Sequence, residues 1–382
     1  MDAPLKSKLG QPGWHLKQSA VDVWVTRTAG MLAPATFRLP GGREVRPFAV
    51  APWVGEKIDA GLPPLLHALR GDFFCAPFGG NGVAWRGESH PPHGESANAD
   101  WKFVDVANGK GATSLQLQLT TKVRPGVIDK RVTLRAGHCA IYVEHTLSGF
   151  TGPMSLGTHP CLHVPGPEGA ARVSVGGWDW GQVLPVPFED PAAGGYSTLK
   201  PGARFESLSA VPLANGGTAD LTHYPARAGF DDLVMLMGKP GRTLGWSAVT
   251  FPKEGWALIQ LKNPDVLRHT ILWHSNGGRH FAPWSGRHRN VLGLEETTSY
   301  FHFGQAESAN PNPLSRAGIP TTVKLSPKKP LRVPHIFAVA ALPRGFDIVA
   351  DVQPTSGGVL ITSANGKMAK LALDIAFLAA TN

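Results

Sequence analysis

The chain has 382 residues, of which 42% are hydrophobic and 17% charged, so it can bury one large core or two ordinary ones. Disorder is excluded because 11 Trp and 17 Phe residues are interleaved with the turns that 45 Gly and 34 Pro predict. The net charge of +9 would suit an anionic partner, but the Lys and Arg residues form no dense cluster. No nucleic-acid signature is evident either, so we expect no nucleic-acid partner.

Cysteine content and hydropathy bear on the cellular location. Cys75, Cys139 and Cys161 form neither a disulfide framework nor a Cys-x-x-Cys metal pair. There is no run of eighteen apolar residues, and the N-terminus has no apolar signal core, so we expect no membrane span. These features predict a soluble, cytoplasmic protein, and a periplasmic or secreted one if a signal peptide was removed.

The first half of the chain has the pattern of short strands. Residues 1–18 are expected to be a weakly ordered lead-in, and Leu62–Leu69 is the first plausible helical segment, begun by prolines and ended by Gly71. Alternation of apolar and polar residues predicts antiparallel strands with one buried face. These strands are Val21–Arg27, Ala35–Leu39, a segment that starts at Trp101, Ser114–Thr120, Lys130–Arg135 and Ala140–Leu147.

The second half begins with residues 165–228, a region rich in Gly and Pro. We expect this region to form loop excursions over the rim of a β-sandwich. Further strands are predicted at Leu233–Met237, Leu244–Val249, Trp256–Leu261, His269–Trp273, Thr321–Leu325, Leu331–Ala341 and Leu371–Phe377. Residues 305–318 have the composition of a polar loop. The whole pattern predicts a single all-β domain over residues 1–382, a large antiparallel β-sandwich with few short helices.

A short apolar run ends in two carboxylates. Val291, Leu292 and Leu294 predict a buried strand that runs directly into Glu295 and Glu296. A carboxylate at the end of a core strand suits a general base held at the mouth of a pocket, although a salt-bridged strand end on the surface would have the same pattern. Because strand residues alternate in direction, only one of the two carboxylates can face the pocket, and we favour Glu295.

Histidines are the other candidates for chemistry. His159 precedes a proline between apolar segments, where a structural and a catalytic role are equally consistent with the sequence. The pairs His90/His93 and His159/His163 are spaced like metal ligands of cupin-like sandwiches. No carboxylate pattern completes either pair. We therefore expect neither a metal ion nor another cofactor.

Five segments, in order, resemble blocks of the aldose 1-epimerase (galactose mutarotase) superfamily. The similarity is greatest to the branch that contains glucose-6-phosphate 1-epimerase-like proteins. The matching segments are Arg70-Gly-Asp-Phe-Phe-Cys-Ala-Pro-Phe-Gly, His93-Gly-Glu-Ser-Ala-Asn followed by Trp101, Thr158-His-Pro-Cys-Leu, Gly229-Phe-Asp-Asp-Leu-Val-Met-Leu and Gly293-Leu-Glu-Glu. They lie within residues 20–303, and the strands of residues 304–382 have no assigned role.

The resemblance implies a β-supersandwich with a concave sugar site and an isomerase that opens and recloses a sugar ring. Glu295 would take the proton of the anomeric hydroxyl, and His159 would protonate the ring oxygen. Arg70, His93 and Asp231 would bind hydroxyls, Trp101 or Trp273 would stack on the sugar, and Glu296 would be a further contact or the alternative base.

The sequence also departs from the family pattern. The block that begins at His93 lacks the expected Phe-Ala-Arg, and Cys161 stands where an aromatic residue is usual. Two alternatives to an epimerase therefore stay open, a non-catalytic carbohydrate-binding protein of the same fold and a metal-dependent β-sandwich enzyme. We expect a small-molecule sugar as the partner, and a monomer or homodimer.

Overall fold

The computed structural model describes residues 5–379, which form an all-β protein with a few short helices. The first strands are β1 (Lys6–Lys8), β2 (Gln11–Lys17), β3 (Val21–Thr26), β4 (Leu32–Arg38), β5 (Glu44–Val45), β6 (Phe74–Cys75), β7 (Lys102–Asn108), β8 (Ala112–Thr121), β9 (Gly126–Arg135), β10 (Ala140–Ser148), β11 (Gly152–Met154), β12 (Leu156–Thr158) and β13 (Cys161–His163). The central strands are β14 (Ala171–Gly176), β15 (Trp178–Val183), β16 (Arg204–Phe205), β17 (Val211–Pro212), β18 (Thr218–Ala219), β19 (His223–Tyr224), β20 (Phe230–Gly238), β21 (Gly245–Phe251), β22 (Trp256–Lys262), β23 (His269–Asn276) and β24 (Val291–Thr298).

The last strands are β25 (Val323–Leu325), β26 (Leu331–Ala341), β27 (Val349–Thr355), β28 (Gly358–Ser363) and β29 (Met368–Ala372). The α-helices are α1 (Pro64–Ala68), α2 (Gln305–Ala309) and α3 (Pro313–Arg316), and single 3₁₀ turns span Pro40–Gly42, Glu95–Ala97, Pro191–Ala193 and Ile375–Leu378. None of the helices in residues 5–379 is long and apolar enough to cross a bilayer.

Two large antiparallel sheets organise the molecule. One has nine strands in the order β19-β14-β21-β22-β26-β10-β9-β8-β7. The other has eight, in the order β16-β15-β20-β23-β24-β12-β6, with β13 also paired to β24. Smaller sheets are formed by β1–β5 and by β27–β29, and the pairs β11/β25 and β17/β18 complete the set. The predicted class, an antiparallel β-supersandwich with few short helices, is confirmed.

Side chains on the two large sheets are buried on both faces. Leu272 and Leu294 of the eight-stranded sheet join the core cluster that also contains Phe337 of the nine-stranded sheet. Ile271 and Trp273, on the other face of the same sheet, pack into a second cluster with loops. A third cluster joins the outer face of the nine-stranded sheet to β27–β29. Double-sided burial explains why β20 to β24 have nearly continuous apolar runs.

Several boundaries differ from the sequence predictions. Residues 5–18 of the predicted lead-in contain the whole β1/β2 hairpin. The predicted excursion over 165–228 contains β14 and β15, each a member of a large sheet. The predicted polar loop at 305–318 contains α2 and α3. The predicted strand Leu371–Phe377 is wrong, because β29 ends at Ala372 and a 3₁₀ turn follows. The C-terminal strand β26 lies between β22 and β10, inside the nine-stranded sheet.

A buried ion pair connects the two large sheets. Lys262 Nζ of β22 donates to the Glu296 carboxylate of β24. That carboxylate also accepts from Ser247 Oγ at 2.6 Å and Thr270 Oγ1 at 2.7 Å. Burial lowers the pKa of Lys262, and the carboxylate opposes that effect. Because both charges are removed from water, the attraction between them is needed to offset the desolvation penalty of each.

We expect Glu296→Gln to lower the free energy of unfolding by about 3–5 kcal/mol, since it leaves the Lys262 charge buried without its partner. Urea denaturation measures this loss. The double variant Lys262→Met/Glu296→Gln removes the orphaned charge and should recover part of it. Glu56→Gln, which breaks an exposed pair with Arg287, is the control and should give no resolvable change. Equal losses in the free energy of unfolding for Glu56→Gln and Glu296→Gln would contradict the assignment of Lys262 and Glu296 as a buried ion pair whose charges compensate each other.

Candidate functional site

A cavity of about 250 Å³ opens on the face of the eight-stranded sheet that points away from the nine-stranded sheet. Its wall is largely apolar and aromatic, with a few convergent polar groups, which is the usual character of a small-molecule site. The residues around it are Pro63, Leu65, Leu66, Leu69, Phe73, Pro92, His93, His159, Phe188, Leu233, Trp273, Arg279, Trp284, Glu295 and His302.

Glu295 reaches this cavity from the middle of β24. The strand continues past it to Thr298, so the carboxylates do not end the strand as the sequence suggested. Consecutive strand residues point to opposite faces, and so Glu295 faces the cavity while Glu296 points between the sheets. Only 1% of the Glu295 surface is exposed.

His159 lies in the short connection between β12 and β13. Its backbone N–H donates to Phe73 O at 2.9 Å and to Asp72 Oδ1 at 3.1 Å. The imidazole stacks on the Phe73 ring, with 4.5 Å between centroids. These contacts place His159 Nε2 3.4 Å from Glu295 Oε1, so the two groups can act on the same small molecule.

Burial controls the protonation of the pair. It raises the pKa of Glu295 well above its ordinary value, and the nearby charge of Arg279 only partly opposes it. Burial lowers the pKa of His159 to about 3. Burial therefore favours a protonated carboxyl at Glu295 beside a neutral imidazole at His159.

Two more histidines face the cavity. The His93 ring is perpendicular to the His159 ring, with centroids 4.8 Å apart. His302 approaches Phe188 edge to face. Burial lowers the pKa of His93 well below its usual range and that of His302 to about 4, so both are neutral at neutral pH. Sequence reasoning missed His302, for which the only signal was its place between two Phe residues downstream of the carboxylates.

Arg279 supplies the positive charge of the cavity wall, and sequence reasoning missed it. Its Nε donates to Glu189 Oε1 at 2.6 Å. Its guanidinium carbon lies 4.7 Å from the Trp284 ring centroid and 5.2 Å from that of Trp273, a cation–π arrangement. A Cβ at the preceding Gly278 would lie 2.2 Å from Asp231 N, so this glycine lets the loop that carries Arg279 approach β20 closely.

Asp231 lies behind the wall of the cavity, and is not one of its lining residues. Its carboxylate accepts from Trp273 Nε1 at 3.2 Å, Ser275 Oγ at 2.8 Å and Gly278 N at 2.8 Å. The resemblance implies that Asp231 binds a sugar hydroxyl directly. Its observed contacts instead orient the Trp273 indole and the loop that carries Arg279.

Three other residues predicted to bind substrate lie away from the cavity. Arg70 is buried and donates to Ala68 O, Lys8 O and Leu9 O, and so ties the first hairpin to the body. Trp101 Nε1 donates to Ser96 O, and the indole belongs to the inter-sheet core. Glu296 is paired with Lys262. We therefore correct the expected substrate contacts of these residues to structural ones.

The histidine pairs with metal-like spacing do not converge. His90 Nε2 is bound to Glu88 Oε2 at 3.0 Å, whereas His93 faces the cavity. His163 lies at the surface, whereas His159 is buried. Within residues 5–379 there is no group of three or more His, Cys, Asp or Glu side chains arranged to hold a metal ion.

Two further buried charged groups, Asp72 and Lys130, lie near His159 without an ion-pair contact between them. Asp72 Oδ2 and Lys130 Nζ are buried and have no hydrogen-bond partner within the described part of the chain. Burial raises the pKa of Asp72 to about 6 and lowers that of Lys130 to about 8, and the attraction between the two charges opposes both changes. Asp72 thus fixes the His159 backbone through its other oxygen while Lys130 offsets its charge.

The chain has the same fold as solved structures described as aldose 1-epimerases and galactose mutarotase-like proteins. A candidate aldose 1-epimerase from Escherichia coli K12 superposes with a TM-score of 0.57 and 15% identity, over 87% of this chain and 100% of that chain. A galactose mutarotase-like protein from Clostridium acetobutylicum gives 0.56 and 10%, over 89% and 98%.

A galactose mutarotase related enzyme from Lactobacillus acidophilus gives a TM-score of 0.55 and 12% identity, over 87% of this chain and 99% of that chain. No protein-family model matches the sequence, and no curated protein matches it at a significant level. At these identities the similarity establishes the fold, and the glucose-6-phosphate branch is not confirmed.

We expect Glu295→Gln to stabilise the protein increasingly as pH rises from about 4.5 to 8. The folded-state pKa of Glu295 is raised, so its contribution to stability is complete below the unfolded-state pKa of about 4.5 and is lost as pH rises through the folded-state value. Glutamine does not ionise and avoids that loss. The melting-temperature difference between variant and wild type, measured across this range, is the test, with the exposed Glu206→Gln as control. A difference that does not change with pH would contradict the raised pKa.

Proposed function

We propose that this protein is an aldose 1-epimerase-like isomerase that interconverts the anomers of an aldose or a sugar derivative. The observation that supports this most is the Glu295 carboxyl 3.4 Å from the His159 imidazole, both facing one aromatic-lined cavity. Anomer interconversion requires one group that removes a proton from the anomeric hydroxyl and another that donates one to the ring oxygen.

In this proposal Glu295 is the base and His159 is the acid. Before the sugar binds, burial favours the protonated form of Glu295. Hydrogen bonds from bound sugar hydroxyls favour the ionised carboxylate, and the positive charge of Arg279 acts in the same direction. The proton is then transferred to His159. Glu295 takes the proton of the anomeric hydroxyl, His159 protonates the ring oxygen, and the open chain rotates about C1–C2 before the reverse steps close it.

The remaining polar groups of the cavity would orient the sugar. His93 and His302 are neutral and can each accept or donate a hydrogen bond to a hydroxyl. Arg279 donates, while Trp273 and Trp284 offer rings for the apolar face of the sugar. Asp231 contributes indirectly, since it holds both Trp273 and the backbone beside Arg279.

A second candidate function is carbohydrate binding without turnover. It is favoured by the low pKa of His159 and the raised pKa of Glu295, because burial disfavours the carboxylate and imidazolium forms that proton exchange with a sugar requires. The two functions differ in whether the bound sugar stabilises the Glu295 carboxylate and the His159 imidazolium enough for this charged pair to form.

We expect His159→Asn to reduce the mutarotation rate on the order of 10²–10⁴-fold, since asparagine keeps a polar side chain but cannot donate the proton. Polarimetry on a panel of freshly dissolved aldoses measures the rate, and sugar affinity should change much less. His163→Asn is the matched control, because that histidine lies four residues away at the surface and should leave the rate unchanged.

A wild type that binds sugars without mutarotation above buffer at any pH would favour the binding protein. A wild type that is active, with His159→Asn nearly as fast, would make His159 a structural residue, and His93 would be the next candidate for the acid.

We expect Glu295→Gln to abolish mutarotation while leaving sugar binding mostly intact, because the amide retains hydrogen bonding but cannot accept the anomeric proton at neutral pH. Exchange between anomeric proton signals in NMR reports the rate, and isothermal titration calorimetry reports affinity. The exposed Glu206→Gln is again the control. Comparable rates in variant and wild type would remove Glu295 as the base.

A further inference from the structure

A second cavity, of about 100 Å³, lies where β20 leads into β21 and β22 leads into β23. Its wall comes from three segments, residues 238–242, 264–269 and 318–320, and its basic side chains are Lys239, Arg242 and Arg268. We call it the basic cavity. Among the described residues it shares none with the cavity around Glu295 and His159, so the two cavities would hold different ligands.

His269 fastens the three wall segments to one another. Gly238 N donates to His269 Nδ1 at 3.4 Å, and His269 Nε2 bonds to Pro320 O at 2.9 Å. Burial lowers the pKa of His269 to about 4, so this imidazole adds no charge to the wall at neutral pH. A Cβ at Gly238 would lie 2.0 Å from Arg268 O, and the glycine therefore lets the two turns approach closely.

Arg242 rests on a glycine of a neighbouring turn. A Cβ at Gly177, between β14 and β15, would lie 2.3 Å from Arg242 Cδ and 2.4 Å from Arg242 Nε. Gly177 has a φ of +71°, which favours glycine, and its carbonyl accepts from Lys239 N at 2.8 Å. The absence of a side chain at Gly177 thus gives the Arg242 side chain its position beside Lys239.

The three basic side chains converge on one place. Besides the basic cavity, all three border an adjoining cleft of about 10 Å³, which reaches Lys262. Such a cleft is too narrow for anything larger than a water molecule. A ligand would therefore stay in the basic cavity, and Lys262 would keep its pairing with Glu296.

The charges on the wall of the basic cavity are unbalanced. Lys239 Nζ lies 3.2 Å from Asp179 Oδ1, so that charge is partly offset. Asp265 is the one carboxylate among the described lining residues, and its side chain forms no ion pair with them. Within residues 5–379 the guanidinium groups of Arg242 and Arg268 have neither a hydrogen bond nor an ion pair. Two cations with free N–H donors thus border one small cavity.

A phosphate group matches this arrangement. It carries up to two negative charges and several acceptor oxygens, and guanidinium groups bind such oxygens through charge-assisted, often bidentate hydrogen bonds. The Arg268 backbone is held by the bond from its N–H to Thr298 Oγ1 at 3.1 Å, so one donor group is anchored in advance. Arg242 is exposed, which leaves room in solvent for the rest of a phosphorylated molecule.

We propose that the basic cavity binds a small phosphate ligand, either inorganic phosphate or the phosphate group of a monoester, with Arg242 and Arg268 as its hydrogen-bond donors. Lys239 adds positive charge beside them. The ligand does not take part in the reaction at Glu295 and His159, and the proposal does not depend on the isomerase proposed above.

Isothermal titration calorimetry with inorganic phosphate and with glycerol 3-phosphate, at low ionic strength, tests the proposal on wild type, Arg242→Gln, Arg268→Gln and the double variant. We expect a single site per chain for at least one of the two probes. Each single variant should weaken its binding about tenfold, because a charge-assisted hydrogen bond is lost, and the double variant should abolish it. Tighter binding of glycerol 3-phosphate identifies a monoester as the ligand, and tighter binding of inorganic phosphate identifies the free ion.

Arg344→Gln is the matched control, because it removes the same charge from an exposed arginine at the other end of the nine-stranded sheet. Arg344 follows β26, whose Ala341 pairs with Trp256 at the start of β22, whereas Lys262 ends β22 beside the cleft. The affinity for phosphate should not change in this variant. Unchanged melting temperatures of the Arg242 and Arg268 variants show that any loss of affinity is local.

Four results would overturn the proposal. The first is that neither probe binds, and the second is that Arg344→Gln weakens binding as much as the other variants do. The third is binding that Arg279→Gln abolishes and the Arg242 and Arg268 variants leave intact, which would place the phosphate in the cavity around Glu295. The fourth is binding of heparin or DNA that depends on Arg242 and Arg268 while both small probes fail to bind, which would indicate a surface for polyanions.

Discussion

The ion pair between Lys262 and Glu296 is the interaction on which the position of the candidate site depends. It lies between the two large sheets and fixes β24 against β22 through charges that have no access to water. Because strand residues alternate, fixing Glu296 on the inner face fixes Glu295 on the outer one. Leu292 and Leu294 lie on the same inner face of β24, and their packing in the core between the sheets helps to hold the strand in this orientation.

Desolvation dominates the electrostatics on the cavity side. It raises the pKa of Glu295 and lowers the pKa of His93, His159 and His302, so that it favours the uncharged form of all four side chains. Arg279 is the exception, and Glu189 offsets its charge at 2.6 Å. The wall of the cavity thus carries little uncompensated charge. A neutral ligand rich in hydroxyls can enter such a cavity without a large Coulombic penalty, and its hydrogen bonds then alter the balance of protonation between Glu295 and His159.

The sequence predicted most strands well, because alternation and turn residues are local signals. It placed Glu295, His159, His93 and Trp273 together through motif order, and all four line one cavity. Sequence reasoning failed where the direction of a side chain depends on contacts with residues far away in the sequence. The guanidinium of Arg70 donates hydrogen bonds to the carbonyl oxygens of residues 8 and 9, about sixty positions earlier in the chain. Arg279 and His302 lie in irregular loops, where no periodicity indicates which side chains turn inward.

The buried charges of Asp72 and Lys130 show that positioning His159 imposes a free-energy cost on the fold. Neither Asp72 Oδ2 nor Lys130 Nζ has a hydrogen-bond partner in residues 5–379, and burying such charges is often no more stabilising than an apolar pair of similar volume. The other Asp72 oxygen, however, accepts the His159 N–H at 3.1 Å. A hydrophobic replacement would lose that contact and leave the bond to Phe73 O at 2.9 Å to hold the backbone that aims the imidazole at Glu295. The physical rationale for this pair is therefore the geometry of His159 rather than net stability, as it is for the Asp231 carboxylate behind Trp273 and Arg279.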